Sequence, residues 1–400
     1  MKKLLHLFTS ILLFGCSSSD DSSAEGSETN NSELSKYIVE CSGYVKFDSN
    51  NSSFLNFLIS KGYDLNNDSK ISCEEASKIT KLDLGNSGAV SNLGGIESFQ
   101  NLQTITGYVL LRDSNINPNA NILNLYNNSN LQEINFNVRA KSNAITTMQT
   151  IILPKSSKLT KLDCSLARIK NILNLNTQTN LESIDFQNSG VIGVIDLSGS
   201  TQLKTINLSK NAITEIKFPK TPVISLKEIN LGGSPIDGVN DNNNSLTSIN
   251  LEMLPNLESL ALSYNKLTSV DISKNPKLTL LDITFNKILK IDLTNNKEII
   301  HLKVSSTLIS LLNLKELANL RSLYCTNTLI ENIDLSNNKL IYYIQLENNQ
   351  LKTLNLKNGR NTFINSMSAT KNKINCITVD NGFTPDPKKW VKDANTKYCN

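Results

Sequence analysis

Apolar and polar positions along most of this chain follow one slow beat. LESLALSYNKLTSVDISKNPK runs from Leu257 and LTLLDITFNKILKIDLTNNKE from Leu278. IIHLKVSSTLISLLNLKELAN follows from Ile299, LRSLYCTNTLIENIDLSNNKL from Leu320, and another unit opens at Ile341. Each start lies 21 positions after the one before. The shared pattern is L-x-x-L-x-L-x-x-N-x-L-x-x-[VIL]-[DN]-L. It returns at Leu159, Leu181, Leu203 and Leu226, at spacings that stay within 20–23. Leu246 opens what reads as a half-length unit, residues 100–158 hold looser units around Leu102 and Leu131, and Ile364 opens the last. The alternation in L-x-x-L-x-L predicts a short strand with every second side chain turned inward. Units this short leave little room for a helix, so the second half is also predicted to be extended.

One unit cannot stand alone. Six inward side chains, such as Leu257, Leu260, Leu262, Leu267, Val270 and Ile272, do not offset the entropy of fixing the whole unit, so stacking between units has to supply the rest. Asn at the ninth position (Asn211, Asn265, Asn286, Asn349, Asn372) is placed to bond backbone where the chain turns out of the sheet. Ser189, Thr307 and Thr328 hold that position in other units. The pattern resembles the leucine-rich repeat family over roughly residues 79–379. The resemblance implies a β-rich, right-handed solenoid of about 21–23-residue turns with a parallel sheet on its concave face. It also implies recognition of proteins, as in internalin-like adhesins.

A solenoid needs caps at both ends. Residues 380–400 break the repeat with Pro385 and Pro387 and supply Trp390 to cover the last layer. At the other end, residues 37–78 precede the repeats. Phe54, Leu55, Leu58 and Ile59 stand at helical spacing, and Glu74 to Ile79 reads as a second short helix. Between them lies GYDLNNDSKISCEEA, residues 62–76. Helix, oxygen-rich loop and helix resemble the EF-hand, D-x-[DN]-x-[DN]-G-x5-E. On that resemblance Asp64, Asn66 and Asp68 are ligands, with the Lys70 carbonyl, Ser72 and bidentate Glu75, around a structural Ca2+. Ser69 departs from the pattern, because a left-handed turn there costs a non-glycine residue ~1–2 kcal/mol.

The first 15 residues pair Lys2 and Lys3 with an apolar run from Leu4 to Phe14. The run is too short to span a bilayer and reads as a secretory signal. Leu13-Phe14-Gly15-Cys16 resembles the lipobox of bacterial lipoproteins, which implies lipid on Cys16. Residues 16–36 follow as a tether too poor in apolar residues to fold. Asp20-Asp21 after serines resembles a surface-export signal of Gram-negative lipoproteins. Together these resemblances imply an outer-membrane location with exposure at the cell surface.

Seven cysteines in an exported chain invite pairing. Cys16 is taken by lipid, and Cys164 and Cys325 stand at core positions of their repeats. Cys41 with Cys73 and Cys376 with Cys399 remain, one disulfide for each cap.

The net charge of +4 falls to about +2 once Lys2 and Lys3 are removed, and no basic run follows. Nucleic acid is therefore an unsupported partner, and nothing in the sequence points to a homo-oligomer. Catalysis has little to work with. Of two histidines, His6 lies in the leader and His301 in an outward slot of its strand. Asp163 and Asp185 share a strand position in consecutive units, but their column runs through Asp83, Asn135, Asn207, Asn230 and Asn250. A polar column on an open face needs no active site. The other half of the face is different in kind. There the fifth-position column carries Lys303 and Tyr324, with His301, Arg321, Tyr342 and Tyr343 beside it. Tyr264 and Phe285 stack at the eighth position. Tyrosine and arginine are enriched in binding hot spots. The expectation is a surface-anchored, non-enzymatic lipoprotein that binds a protein partner. A glycan is the alternative ligand, and a purely structural envelope role or an enzyme ranks below both.

Overall fold

The computed structural model describes residues 35–47, 52–85, 90–111, 122–140, 149–155, 158–235 and 243–400. The signal segment, Cys16 and most of the tether lie outside them. The chain divides after Ile38, and of its first unit only residues 35–38 are described, with a 3-10 turn at Ser35–Tyr37. Everything below concerns the second unit, Val39–Asn400.

The second unit is a β-solenoid. Its L-x-x-L-x-L segments form one parallel sheet of fourteen strands, from Lys81–Asp83 through His301–Lys303 to Trp390–Val391. The register keeps one side chain per strand directly over the next, as in Leu281, Leu302, Leu323, Ile344 and Met367. All are buried, and the column ends on Trp390. Pairing every strand to its neighbour in the next turn satisfies the backbone while hiding one apolar face, which is why three-residue strands suffice here. Three smaller parallel sheets come from second halves of the units: three strands beginning at Ile122–Asn124, two at Ile192–Asp196 and Ala212–Lys217, and four ending at Lys397–Cys399.

The ninth-position ladder is present. Asn265, Asn286 and Asn349 each donate to one backbone carbonyl of their own turn and one of the preceding turn. A second buried amide ladder, which the repeat pattern did not reveal, lies near the end of several units. Asn275 donates to Leu251 and Leu254 carbonyls, Asn296 to Ile272 and Asn275, and Asn338 to Leu314 and Leu317. Asn128 and Gln178 do the same in the irregular units.

One reading is corrected. Glu228–Asn230 pairs directly with Ser259–Ala261, so Leu246 opens no strand and lies in the second half of a long unit begun at Leu226. Asn250 therefore leaves the polar column, where Ala261 follows Asn230. Its side chain instead accepts the Glu252 N–H, as Asp271 accepts that of Ser273. The inserted residues hide a ladder member too. Asn244 bonds the Leu208 and Leu231 carbonyls and the Ile213 N–H, thirteen positions beyond Leu231 where the regular spacing is three.

Both ends are closed. Trp390 packs against Phe383 and Tyr398 and donates to the Ile364 carbonyl, while Cys376–Cys399 ties the last strand down. At the N-terminal end two short helices, Ser53–Ser60 and Cys73–Lys78, flank the oxygen-rich loop, and Cys41–Cys73 links it to the preceding segment. Phe54, Phe57 and Leu58 face the core, while Leu55 and Ile59 are only half-buried.

Candidate functional site

The loop of residues 64–75 is held by its own carboxylates. Asp64 accepts the Asp68 and Ser69 N–H groups at 3.2 and 2.9 Å, and Asp68 accepts that of Lys70 at 2.9 Å. Glu75 accepts the Leu65 and Ser72 N–H groups, both at 2.8 Å, and closes a capping box with the Ser72 hydroxyl. The Ser72 backbone N–H is the first cause that holds the Glu75 carboxyl below its usual range, and the Ser72 hydroxyl the second. Tyr44 donates to Asp68, which pushes its phenol up, first through that bond and then through the carboxylate charge. Ser69 itself takes the left-handed conformation that the glycine of the pattern would supply, at φ +63°. Asp64 and Glu75 are buried, and none of the three carboxylates has a lysine or arginine paired with it among the described residues. This is a hard-cation donor set in kind. Among the described residues no three histidine, cysteine, aspartate or glutamate side chains converge as a metal site. The carboxylates are spread along the loop and engaged by its N–H groups.

The polar column of the long sheet has a structural role. Asp163 accepts the N–H of Ser165, Asp185 that of Gln187, Asn230 that of Gly232 and Asp282 that of Thr284. An Asx side chain at this position turns the backbone out of the strand. Asp163 and Asp185 stand side by side in register, and Asn207 donates to Asp185 at 2.9 Å. Burial is the first cause that raises the Asp185 carboxyl above its ordinary value.

The C-terminal half of the face is organised by aromatic and basic groups. Tyr324 and Tyr343 lie on adjacent strands with ring centroids 5.2 Å apart. Lys303 sits 5.7 Å above the Tyr324 ring and 3.7 Å from Asp282. Gln345 donates to the Tyr343 hydroxyl at 2.6 Å, and the His301 Nδ1 is 2.7 Å from the Ser322 hydroxyl. Burial first, then the charges of Lys303 and Arg321, hold the His301 imidazole below its ordinary value. An open cleft of about 740 Å³ brings together His301, Lys303, Arg321, Tyr324, Tyr342 and Tyr343. Tyr264 and Phe285 stack at 4.3 Å, but they stand outside that cleft. Both rings sit on left-handed residues, at φ +56° and +55°.

Sequence reasoning missed the far wall of the cleft: Lys339, Leu340, Arg360 and Phe363. A signal was there. Leu335 to Ile341 spans six positions, whereas Leu356 to Ile364 spans eight. The two extra residues fall where a 3-10 turn, Asn361–Phe363, interrupts the repeat.

The strand register, the asparagine ladder and the repeated units together define a leucine-rich repeat solenoid. Among solved structures, the chain is similar to the functional domain of InlJ from Listeria monocytogenes at 22% identity. The match covers 78% of this chain and 69% of that one, with a TM-score of 0.55. An internalin of the same organism, InlF, matches at 19% identity over 87% of this chain and 95% of that one, with a TM-score of 0.55. The plant peptide hormone receptor RGFR1, solved in complex with RGF2, matches at 14% identity over 78% and 57%, with a TM-score of 0.51. At these identities the likeness is one of fold. No protein-family profile and no curated protein matches the chain.

Proposed function

We propose that this protein is a surface-anchored recognition lipoprotein that binds a protein partner on the concave, C-terminal half of its long sheet. One observation carries the reading. Arg321, Tyr324, Tyr342 and Tyr343, with His301 and Lys303, converge on one cleft although none of them fills the core. Its residue types are those of hot spots. The RGFR1 complex with RGF2 shows this fold serving a receptor for a peptide.

The test is binding of purified full-length protein to an array of extracellular proteins and, in parallel, of glycans. Tyr324→Ala with Tyr343→Ala should weaken the protein contacts by about 30-fold or more, since truncating a hot spot costs ~2 kcal/mol or more. Asp163→Ala with Asp185→Ala should leave them intact. Binding to glycans alone, or loss with the aspartate pair and not with the tyrosine pair, overturns the reading.

The N-terminal loop is proposed to hold a structural Ca2+. Asp64, Asn66, Asp68, Ser72 and Glu75 would ligate it with the Lys70 carbonyl, and the ion would neutralise carboxylates that lack a basic partner. An ion that binds only the folded state raises the melting temperature. Millimolar calcium should do so for the wild type and not for Glu75→Gln. An equal melting temperature with and without calcium in the wild type removes the ion from the account.

A further inference from the structure

We propose that the cleft beside Tyr324 and Tyr343 receives an acidic, apolar-rich segment of the protein partner, whose carboxylates bind Arg321, Lys339 and Arg360. The inference rests on the recognition role above and adds the chemistry of what is recognised.

Charge is the first ground. Four cationic side chains line the cleft, Lys303, Arg321, Lys339 and Arg360. No aspartate, glutamate, asparagine or glutamine is among the lining residues. Some lysines elsewhere are paired across adjacent turns, as Lys204 with Glu182 and Lys352 with Glu331. Lys303 has Asp282. Arg321, Lys339 and Arg360 have no such carboxylate among the described residues. In a chain with a net charge of only +4, that is a local excess, and it would attract and orient an anionic segment.

The wall of the cleft is built and braced. The repeat is longer by two residues here, and the extra turn presents Arg360 and Phe363. Asp380 holds that turn from the following unit, accepting the Gly359 N–H at 2.8 Å and the Asn361 N–H at 2.9 Å. Asn361 returns the bond, accepting the Asp380 N–H at 2.7 Å, and it is itself buried. Gly359 stands at φ +78°, a conformation that favours glycine, so the turn is specified in sequence as well. The Arg360 guanidinium lies 4.0 Å above the Phe363 ring. A guanidinium placed in this way loses little freedom when a carboxylate docks.

The apolar lining chooses between ligand classes. Leu340, Tyr342 and Phe363 are all exposed at this rim. Sugar hydroxyls need acceptors as well as donors, and the lining carries no carboxylate or carboxamide to accept from them. Leucine and phenylalanine match aliphatic and aromatic side chains, and the arginines match carboxylates bidentately.

The test uses full-length protein and three labelled probes read by fluorescence polarisation. The probes are a dodecapeptide alternating glutamate with leucine and phenylalanine, its counterpart with glutamine for glutamate, and a sulfated oligosaccharide. The acidic peptide should bind at least tenfold more tightly than the glutamine peptide. Arg321→Glu with Arg360→Glu should weaken it at least tenfold more. Lys290→Glu with Lys373→Glu makes the same change of net charge at exposed positions outside the cleft, and should change binding less than threefold. Thermal melting checks that all variants fold. Equal binding of the two peptides, equal loss in both charge-reversal pairs, or binding of the oligosaccharide alone overturns the proposal. Loss of protein-array binding in the tyrosine pair without any effect of the arginine pair leaves the recognition role standing and removes only the acidic ligand.

Discussion

Asn286→Ala should lower the stability of the solenoid by roughly 3–5 kcal/mol, far more than its size suggests. The side chain is buried and makes its three shortest bonds to backbone groups. It donates to the Leu262 carbonyl at 2.9 Å and the Ile283 carbonyl at 3.0 Å, and accepts the Leu267 N–H at 3.0 Å. Asn265 also reaches the Leu262 carbonyl, so that group keeps a partner. The other two do not, and a buried backbone group left unpaired costs about 1–3 kcal/mol. A cavity adds to this. Asn286→Thr should cost less, because Thr307 fills the same column with one bond to the Val304 carbonyl. Asn295→Ala, on an exposed side chain, should stay within about 0.5 kcal/mol. Urea unfolding gives the three values, and hydrogen exchange at the Leu267 amide reports the local opening. An alanine variant within 1 kcal/mol of wild type would show that the ladder is not what holds the turns together.

The ladder also shows what could be read in advance. Asn265 and Asn286 recur at a fixed distance from Leu257 and Leu278, so periodicity alone marks them. Asn244 does the same work and escaped, because an insertion displaced it from its unit. Asn275, Asn296 and Asn338 escaped for another reason. They lie in the polar stretches that end their units, and only packing shows that their side chains are buried. The acidic half of the face was read as a polar column of no special purpose. Geometry gives it one, since each Asx side chain holds the backbone two residues on.

The cleft was half legible for a similar reason. His301, Lys303, Tyr324 and Tyr343 share strand positions, so counting in steps of 21 brings them together. Arg360 and Phe363 come from a place where that count slips, between Ile341 and Ile364. Tyr264 and Phe285 were grouped with the others on composition, and the structure sets them apart as a separate stack. Repeats make regular positions predictable, and a binding surface gains its individuality where the repeat is broken.

Cys16→Ser should abolish anchoring while leaving the solenoid unchanged. Lipoprotein processing would place two or three acyl chains on the residue that becomes the new N-terminus. Each buried methylene contributes ~0.8 kcal/mol, so one chain holds only marginally and two hold stably. A serine has no thiol to take the first chain. Among the described residues no helix is long and apolar enough to cross a membrane. The variant should therefore be found either as an uncleaved precursor or in the soluble fraction. Its melting temperature, measured on the released protein, should match that of wild type, because residue 16 precedes the solenoid unit, Val39–Asn400, in the sequence. Protease treatment of intact cells separates surface exposure from anchoring, and replacing Asp20 and Asp21 by alanine should remove the first and keep the second. A processed Cys16→Ser protein that still sediments with membranes would place the anchor elsewhere.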